Sequence, residues 1–344
     1  MGQVVLVTGV SRYLGGRMAR MLTDDPRIDR VIGVDVVPPR TDIGRAEFAR
    51  ADIRNPIISK VIAAADVDTV VHMGVIATPV QAGGRMAMKE INVIGTMQLL
   101  AACQKSPSIR RLVVKSTSSV YGAGSQDPAM FTEGTEPRHA PESGWAKDSV
   151  EVEGYVRGFA RRRPDVVTTT LRFANFIGPI VQTPMTAYFT LPLVPVVTGF
   201  DARLQFIHED DGLAAIHHAA VDDYPGLFNI AGDGVIALSQ AIRLAGRLPF
   251  PVPPLLVGGV GRAVIRLGLA DFSPEQVRFL TFGRGVDTTR MREVLEFVPE
   301  YTTREAFMSF VEGRGLNRVL KPERVASVEQ SLTNLLTRKG AVNA

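Results

Sequence analysis

The stretch Gln3–Gly16, QVVLVTGVSRYLGG, contains an apolar run, a glycine turn and the beginning of a helix. The run from Val4 to Val7 has no polar alternation, which predicts a parallel strand buried on both faces. Gly9 permits a tight turn, and Gly15 permits close packing of the following helix, predicted from Tyr13 to Leu22. The free N–H groups at the start of this helix favour an anion, typically a dinucleotide pyrophosphate.

A second apolar strand, from Val31 to Val34, follows the glycine turn and ends in Asp35. An acid at this place accepts hydrogen bonds from the ribose hydroxyls of an adenosine. The order of strand, glycine turn, helix, strand and acid therefore favours a dinucleotide-binding unit. The alternative is a strand–helix–strand unit whose glycines serve only for packing.

The composition is typical of a water-soluble globular protein, since 45% of the 344 residues are hydrophobic and 22% are charged. The net charge of +4 is too small to indicate a nucleic-acid partner. Cys103 is the single cysteine, so no intrachain disulfide is available to suggest an oxidising compartment. We expect a cytoplasmic protein without a membrane partner, because Met1 to Gln3 lead directly into the first strand and the later apolar segments contain prolines or are too short.

Strands and helices alternate along the chain, which predicts an α/β fold with a doubly wound parallel sheet. Further strands are predicted at 47–51, 69–74, 111–115, 166–171 and 228–230, and long helices at Arg85–Lys105 and Ser143–Arg163. His72 has no acid nearby in the sequence, so we expect internal hydrogen bonds to satisfy it. Four hydroxyl residues, Ser116 to Ser119, follow a central strand at the sheet edge where ligands bind in such folds.

Short motifs occur through the chain in the order of one protein family. The matching segments are Thr8–Gly15, Asp35, Asp52-Ile53, Val71–Gly74, Asn92–Thr96, Thr117–Gly122, Lys147 with Glu151, Leu171–Asn175 with Gly178-Pro179, and Phe206–His208 with Asp210-Asp211. This pattern resembles the extended short-chain dehydrogenases/reductases of the NAD-dependent epimerase/dehydratase family. The resemblance implies a Rossmann domain at 1–174 and 200–232 and a smaller C-terminal substrate lobe at 175–199 and 233–315. Residues 316–344 extend beyond the family core as a predicted helical tail.

The resemblance also implies which residues form the site. The cofactor would be held by Gly9, Arg12, Tyr13, Leu14, Gly15, Asp35, Asp52, Ile53, Met73, Gly74, Val75 and Lys147. Thr117 and Lys147 fall on catalytic positions, and Ser118 and Asn175 on substrate positions. We expect NAD rather than NADP, because Asp35 would repel the 2′-phosphate of NADP, although Arg12 and Arg40 would attract it.

The chain departs from the family pattern at three positions. Arg12, or Tyr13 with the spacing of smaller superfamily members, replaces the middle glycine of the nucleotide turn. Ser143 replaces the catalytic tyrosine four residues before Lys147, and its aliphatic hydroxyl cannot release a proton at neutral pH without a separate base. Leu204 stands where nucleotide-sugar enzymes have an arginine. If Ser143 is catalytic, its role therefore differs from that of tyrosine.

The loss of tyrosine leaves the proton source open. Tyr121 and His139 are the nearest candidates in the sequence, and a water relayed by Thr117 and Lys147 is a third. We expect an NAD(P)-binding epimerase/dehydratase-like oxidoreductase with altered acid/base machinery. The alternatives are a catalytically silent dinucleotide-binding sensor or scaffold, and a nucleotide-sugar epimerase.

The entrance to the predicted substrate lobe has no charge, because no charged residue occurs from Phe173 to Phe200. A pyrophosphate-bearing substrate would need cations there, so the pattern favours a neutral or apolar small molecule. The resemblance further implies a homodimer that pairs through the two long helices.

Overall fold

The computed structural model describes residues 2–73, 83–138, 140–256 and 274–316. Seven of its strands form one parallel sheet: β1 Gln3–Thr8, β2 Ile28–Asp35, β3 Glu47–Arg50, β4 Thr69–His72, β5 Arg111–Thr117, β6 Val167–Phe173 and β11 Gly226–Ile230. Their order across the sheet is β11-β6-β5-β4-β1-β2-β3. The chain therefore winds outward in both directions from β1 and β4, which confirms the predicted doubly wound parallel sheet.

Three two-stranded ribbons lie outside this sheet in the described part of the chain. They pair β7 Asn175–Ile177 with β10 Phe206–His208, β8 Leu193–Val197 with β13 Leu248–Val252, and β9 Arg203–Leu204 with β12 Ile236–Ala237. The first two ribbons are parallel and the third is antiparallel.

The described α-helices cover both faces of the sheet and the ribbons. They are α1 Tyr13–Thr23, α2 Ile57–Ala64, α3 Arg85–Lys89, α4 Thr96–Lys105, α5 Gly144–Arg162, α6 Pro184–Thr190, α7 Glu209–Val221, α8 Leu238–Leu244, α9 Pro274–Phe282, α10 Thr289–Glu293 and α11 Thr303–Gly313. Short 3₁₀ turns occur at Ser118–Tyr121 and Pro254–Leu256.

The single helix predicted from Arg85 to Lys105 is interrupted by a π-helical segment, Glu90–Gly95. Within it, the buried Asn92 side chain donates a hydrogen bond to Asp148, and the Thr96 hydroxyl donates to the Asn92 carbonyl at 2.6 Å. Side-chain bonds of this kind compete with the regular backbone ladder. The predicted helix from Arg85 to Lys105 is therefore confirmed in its bounds, and the sequence pattern did not indicate the π-helical segment within it.

The alternation of side chains along β1 divides the buried apolar residues between two faces. Val5 and Val7 pack with residues of α1 and α7, whereas Leu6 packs with residues of α2, α4 and α5. A further core forms away from the sheet, where the Phe189 ring meets Phe307 at 4.9 Å and Phe206 at 6.4 Å between centroids. The domain boundaries proposed from the sequence stay a prediction.

His72 is a structural residue of β4. Its Nδ1 and Nε2 atoms lie 2.8 Å from the Thr8 hydroxyl and 2.9 Å from the Thr96 hydroxyl. Complete burial lowers the pKa of the imidazole to about 4, so the ring is neutral at physiological pH. The expectation that internal hydrogen bonds satisfy His72 is confirmed.

Candidate active site

A cleft of about 1300 Å³ runs along the carboxyl ends of the central strands. One wall is the nucleotide turn between β1 and α1, and the opposite wall contains residues 180–185 and part of α9. The floor between them includes Thr117 and Asn175. The cleft therefore lies at the edge where open parallel sheets bind ligands.

The nucleotide turn brings the backbone unusually close to the cleft. Gly9 has a φ of +79°, and a Cβ atom on Gly15 would lie 2.1 Å from the Gly9 carbonyl oxygen. Both positions therefore require glycine. No side chain caps the start of α1 at Arg12, and its first turn contains no acidic residue. Within the described part of the chain no side chain occupies the N–H groups at the start of α1, so they can receive an anion.

The residues of this turn fit a dinucleotide. Five of the predicted cofactor residues in it line the cleft: Gly9, Arg12, Tyr13, Leu14 and Gly15. Asp35 also lines it, at the end of β2, and accepts hydrogen bonds from the Ser11 amide at 3.0 Å and hydroxyl at 2.5 Å. These contacts fix the Asp35 carboxylate beside the turn, where a ribose would lie.

The other predicted cofactor residues are distributed differently. Met73 is buried and lines the cleft, whereas Gly74 and Val75 lie outside the described residues. Asp52 and Ile53 do not line the cleft. Asp52 accepts hydrogen bonds from Arg54, which lower the pKa of its carboxyl group.

Two side chains explain this arrangement. Ile53 packs against the π-helical segment, where a Cβ atom on Gly95 would lie 2.8 Å from its Cδ1 atom. Arg54 lines the cleft in place of its neighbours, and its guanidinium also pairs with Glu90 at 3.3 Å. Sequence reasoning missed Arg54 because the family motif directs attention to the two residues before it.

Thr117 lies at the end of β5 and faces the cleft, where its hydroxyl accepts a hydrogen bond from the Ser119 amide at 3.1 Å. Asn175, at the start of β7, lines the same cleft. Ser118 does not line it, since its buried hydroxyl accepts a hydrogen bond from Arg284 at 3.3 Å. The structure therefore brings together Thr117 and Asn175 but turns Ser118 away.

Lys147 does not line the cleft, and its side chain is exposed. The next residue, Asp148, is fully buried and receives two hydrogen bonds from Arg85, at 2.6 and 2.7 Å. This ion pair fixes the rotation of α5, which presents Trp145 and Ala146 to the cleft instead. Lys147 is therefore not among the residues that line the cleft with Thr117, and its predicted role stays a prediction.

Ser143 precedes the first residue of α5 and lines the cleft. Its hydroxyl donates a hydrogen bond to Oε1 of Glu275, a cleft residue of α9. Tyr121 and His139 are the other side chains considered as the proton source. Tyr121 is buried away from the cleft and donates to Asn229 at 2.8 Å, and His139 lies outside the described residues.

Lys115 is a cleft residue that sequence reasoning missed. It precedes Thr117 by two residues on β5, so both side chains point to the same face of the sheet. Its Nζ atom lies 5.6 Å from the centre of the Phe176 ring. Burial, assisted by the nearby Arg12 cation, lowers the pKa of the Lys115 ammonium to about 8. The sequence feature that could have identified Lys115 as a cleft residue is a lysine near the end of an otherwise apolar strand.

The substrate side of the cleft contains two arginines from the later part of the chain. Arg284 is buried and donates to the hydroxyls of Ser118 and Ser119 and to the Gly122 carbonyl. Arg278 is exposed, and its Nε atom donates to the Ala123 carbonyl at 3.0 Å. The sequence interpretation considered residues 173–200 and Leu204 as positions for substrate-binding cations, and it missed both of these guanidinium groups.

The described residues provide neither a metal centre nor a membrane-spanning helix. They contain no cluster of three or more His, Cys, Asp or Glu side chains arranged to hold a metal ion. No helix among them combines the length and apolar character needed to cross a membrane.

The sequence profile of the NAD-dependent epimerase/dehydratase family matches residues 5–231. Protein Rv0501 of Mycobacterium tuberculosis is 49% identical over 345 residues, which cover 99% of this chain and 92% of that protein. A probable UDP-arabinose 4-epimerase of Oryza sativa is 25% identical over 185 residues, covering 51% of this chain and 45% of that protein.

Solved structures of low sequence identity share the fold. The UDP-glucose 4-epimerase of Thermotoga maritima with UDP-glucose has a TM-score of 0.70 at 20% identity, covering 90% of this chain and 98% of that chain. The UDP-glucuronic acid 4-epimerase of Bacillus cereus, in complex with UDP-glucuronic acid and NAD, has a TM-score of 0.69 at 18% identity, covering 91% and 99%. At such identities the likeness concerns the fold alone.

Proposed function

Because the chain belongs to the NAD-dependent epimerase/dehydratase family, we propose that it binds NAD and performs oxidation or reduction of a small molecule with altered acid/base machinery. One observation carries the proposal: the glycine cradle and Thr117 line a single cleft. The cradle provides an anion site, and the Thr117 hydroxyl provides a hydrogen-bond partner for a substrate oxygen.

The cofactor would lie along the nucleotide turn and the end of β2. The N–H groups at the start of α1, together with Arg12, would hold the pyrophosphate, and Asp35 would accept hydrogen bonds from the adenosine ribose. When bound, NAD supplies a two-electron acceptor for a hydride. NAD is favoured over NADP because the Asp35 carboxylate, which lines the cleft beside the turn, would repel a 2′-phosphate.

The acid/base machinery would differ from that of relatives with tyrosine. A serine hydroxyl does not lose its proton near neutral pH. The pKa of a tyrosine hydroxyl is near 10 and can be lowered towards neutral pH by its surroundings. The Ser143 hydroxyl is also engaged with Glu275. Ser143 would therefore orient a substrate, and another group must exchange the proton.

The substrate class follows from the wall opposite the nucleotide turn. Ile180, Val181, Met185 and Phe279 contribute apolar surface there. Arg284 also lines the cleft, but each of its three nitrogen atoms already donates a hydrogen bond to a protein oxygen, which leaves it poorly placed to bind a substrate anion. We therefore favour a neutral or apolar small molecule.

A nucleotide sugar is the second candidate, and Arg278 is the observation that favours it. Its guanidinium is exposed at the cleft, and only its Nε atom has a hydrogen-bond acceptor among the described residues. The two terminal nitrogen atoms would suit a phosphate group. The relatives whose names include UDP-sugars agree with this alternative.

Calorimetry and turnover assays test the proposal. NAD should bind to the full-length protein, and a panel of apolar ketones with NADH should yield at least one reduced product. UDP-galactose should be epimerised slowly or not at all. Robust epimerisation would establish the second candidate instead. Cofactor binding without turnover of any compound would support a silent sensor or scaffold and contradict the proposed reaction.

The same proposal includes a homodimer and a cytoplasmic location. Ile94, Met97 and Tyr155 expose 41%, 36% and 40% of their surfaces in the region of the helices that the family resemblance assigns to dimer formation. Exposed apolar side chains on these helices would suit a second protein surface.

A further inference from the structure

We infer that Lys115 is the residue that exchanges a proton with the substrate in this cleft, in place of the missing tyrosine. The inference rests on the proposed function, because it requires a hydride reaction at Thr117. It assigns the role to a strand residue that matches no family motif, rather than to Lys147 or Ser143.

The first argument is position. Lys115 and Thr117 are separated by two residues on β5, which corresponds to about 6.6 Å along a strand. Both side chains therefore enter the cleft from the same face of the sheet, close to each other. A substrate oxygen bound at the Thr117 hydroxyl would lie within reach of the flexible lysine side chain.

The second argument is the lack of a partner for the ammonium group. Among the described residues, no hydrogen bond or ion pair engages the Lys115 Nζ atom. This atom instead lies over the ring of Phe176. A half-buried lysine without a carboxylate loses its proton more readily than one in water. Lys115 can therefore be neutral, and able to accept a proton, in a pH range where an ordinary lysine is not.

The third argument concerns the charged groups that face Lys115. Arg12 faces it from the start of α1, and this cation disfavours a second positive charge. His72, on the adjacent strand β4, is neutral, because burial lowers its pKa to about 4. Asp35 and Glu275 also line the cleft, but neither forms an ion pair with Lys115. The surroundings therefore favour proton release.

The resulting reaction step balances. In the oxidative direction Lys115 would form an N–H bond with the proton released when the substrate O–H bond breaks. NAD held by the glycine cradle would supply the acceptor for the hydride released when the substrate C–H bond breaks. The two electrons leave with the hydride, and a C=O bond remains on the substrate. In the reverse direction the Lys115 ammonium returns the proton to the carbonyl oxygen. A group with a pKa near the working pH suits both directions.

Competitive labelling of the full-length protein tests the protonation state without any substrate. Trace acetic anhydride would be applied from about pH 6 to about pH 11, and the labelled peptides measured by mass spectrometry. Lys115 should react with a midpoint near pH 8, and Arg12→Gln should move this midpoint upward. A midpoint near the value of about 10.4 for free lysine would overturn the inference. The peptide with exposed Lys60 serves as a reference for reagent reactivity.

Turnover of the compound found in the ketone panel provides the second arm. Lys115→Met should lower kcat by about 100-fold or more, with NAD affinity within about twofold of wild type. Lys115→Arg should be equally inactive, because arginine keeps the charge but does not release a proton. Lys60→Met, on exposed α2, should leave kcat unchanged.

Three results would separate this inference from the proposed function. Full activity in Lys115→Met would overturn the role of Lys115 alone. Loss of activity in Glu275→Gln but not in Lys115→Met would assign the proton to the Ser143–Glu275 pair, and would also overturn it. Absence of NAD binding would contradict the proposed function, whereas the labelling midpoint would still decide the state of Lys115.

Discussion

The Nζ atom of Lys115 lies 5.6 Å from the centre of the Phe176 ring, inside a cleft shared with Arg12. An aromatic face stabilises a cation by about 0.5 to 2 kcal/mol. The position nevertheless disfavours the ammonium form, since burial and Arg12 lower its pKa to about 8. Lys115 therefore lowers the stability of the folded protein, although its position suits a chemical role in the cleft.

Lys115→Met should stabilise the protein at pH 7. The unfolded lysine has a pKa of about 10.4, so between about pH 8 and 10.4 the unfolded chain binds more protons and stability rises with pH. Below about pH 8 the folded protein bears the full free-energy cost of holding the Lys115 ammonium charge in the cleft. Removing it should raise the free energy of unfolding by about 1 to 3 kcal/mol at pH 7, and the gain should shrink near pH 10.

Urea unfolding followed by Trp145 fluorescence would measure this difference at both pH values. Lys60→Met, which replaces an exposed lysine, is the matched control and should change stability by less than about 0.5 kcal/mol. A destabilised Lys115→Met variant, or a gain independent of pH, would contradict the prediction.

Gly15→Ala should abolish dinucleotide binding. The added Cβ atom would lie 2.1 Å from the Gly9 carbonyl oxygen, and backbone must move to remove the clash. We expect at least a tenfold loss of NAD affinity in calorimetry, corresponding to about 1.4 kcal/mol. Gly154→Ala is the control, because its Cβ atom would meet only Arg157 at 3.9 Å on α5. Unaltered NAD affinity in Gly15→Ala would show that the cradle is not the cofactor site.

The cradle itself could be predicted from the sequence, because its determinants are local. An apolar strand, two required glycines and a helix start lie within Gln3–Gly16, and the glycine geometry needs no distant residue. The doubly wound parallel sheet could be predicted for a similar reason, since strands that alternate with helices are joined by crossovers of one hand. Local patterns therefore determined most of the fold.

The chemistry of the cleft depends on distant contacts and could not be predicted in this way. The rotation of α5 is fixed by Arg85 and Asp148, which are 63 residues apart. Arg278 and Arg284 reach the cleft from a segment more than 150 residues beyond β5. The family motif predicts a role for Lys147, but it does not show which residues of this helix line the cleft, and here those are Trp145 and Ala146.

Asp35→Ala should weaken NAD binding and reduce the preference over NADP. Asp35 lines the cleft and is fixed by the Ser11 amide and hydroxyl, so its carboxylate is positioned to accept ribose hydroxyls and to repel a 2′-phosphate. We expect a loss of about tenfold in NAD affinity, or about 1.4 kcal/mol, in calorimetric titrations. Glu47→Gln, which affects an exposed carboxylate on β3, should have no effect. Tighter binding of NADP to wild type would contradict the prediction.

Ile94→Glu should convert a wild-type dimer into a monomer. Ile94 lies in the π-helical segment, and Met97 follows on α4; both remain partly exposed although α4 packs on α5. A carboxylate buried at an apolar interface would cost several kcal/mol without a partner, enough to shift the dimer equilibrium by orders of magnitude. Light scattering at micromolar concentration would measure the mass. Val298→Glu, at an apolar residue that is 64% exposed far along the chain, is the control and should remain dimeric. A monomeric wild type would refute the dimer, and an Ile94→Glu variant that stays dimeric would assign the interface to another surface.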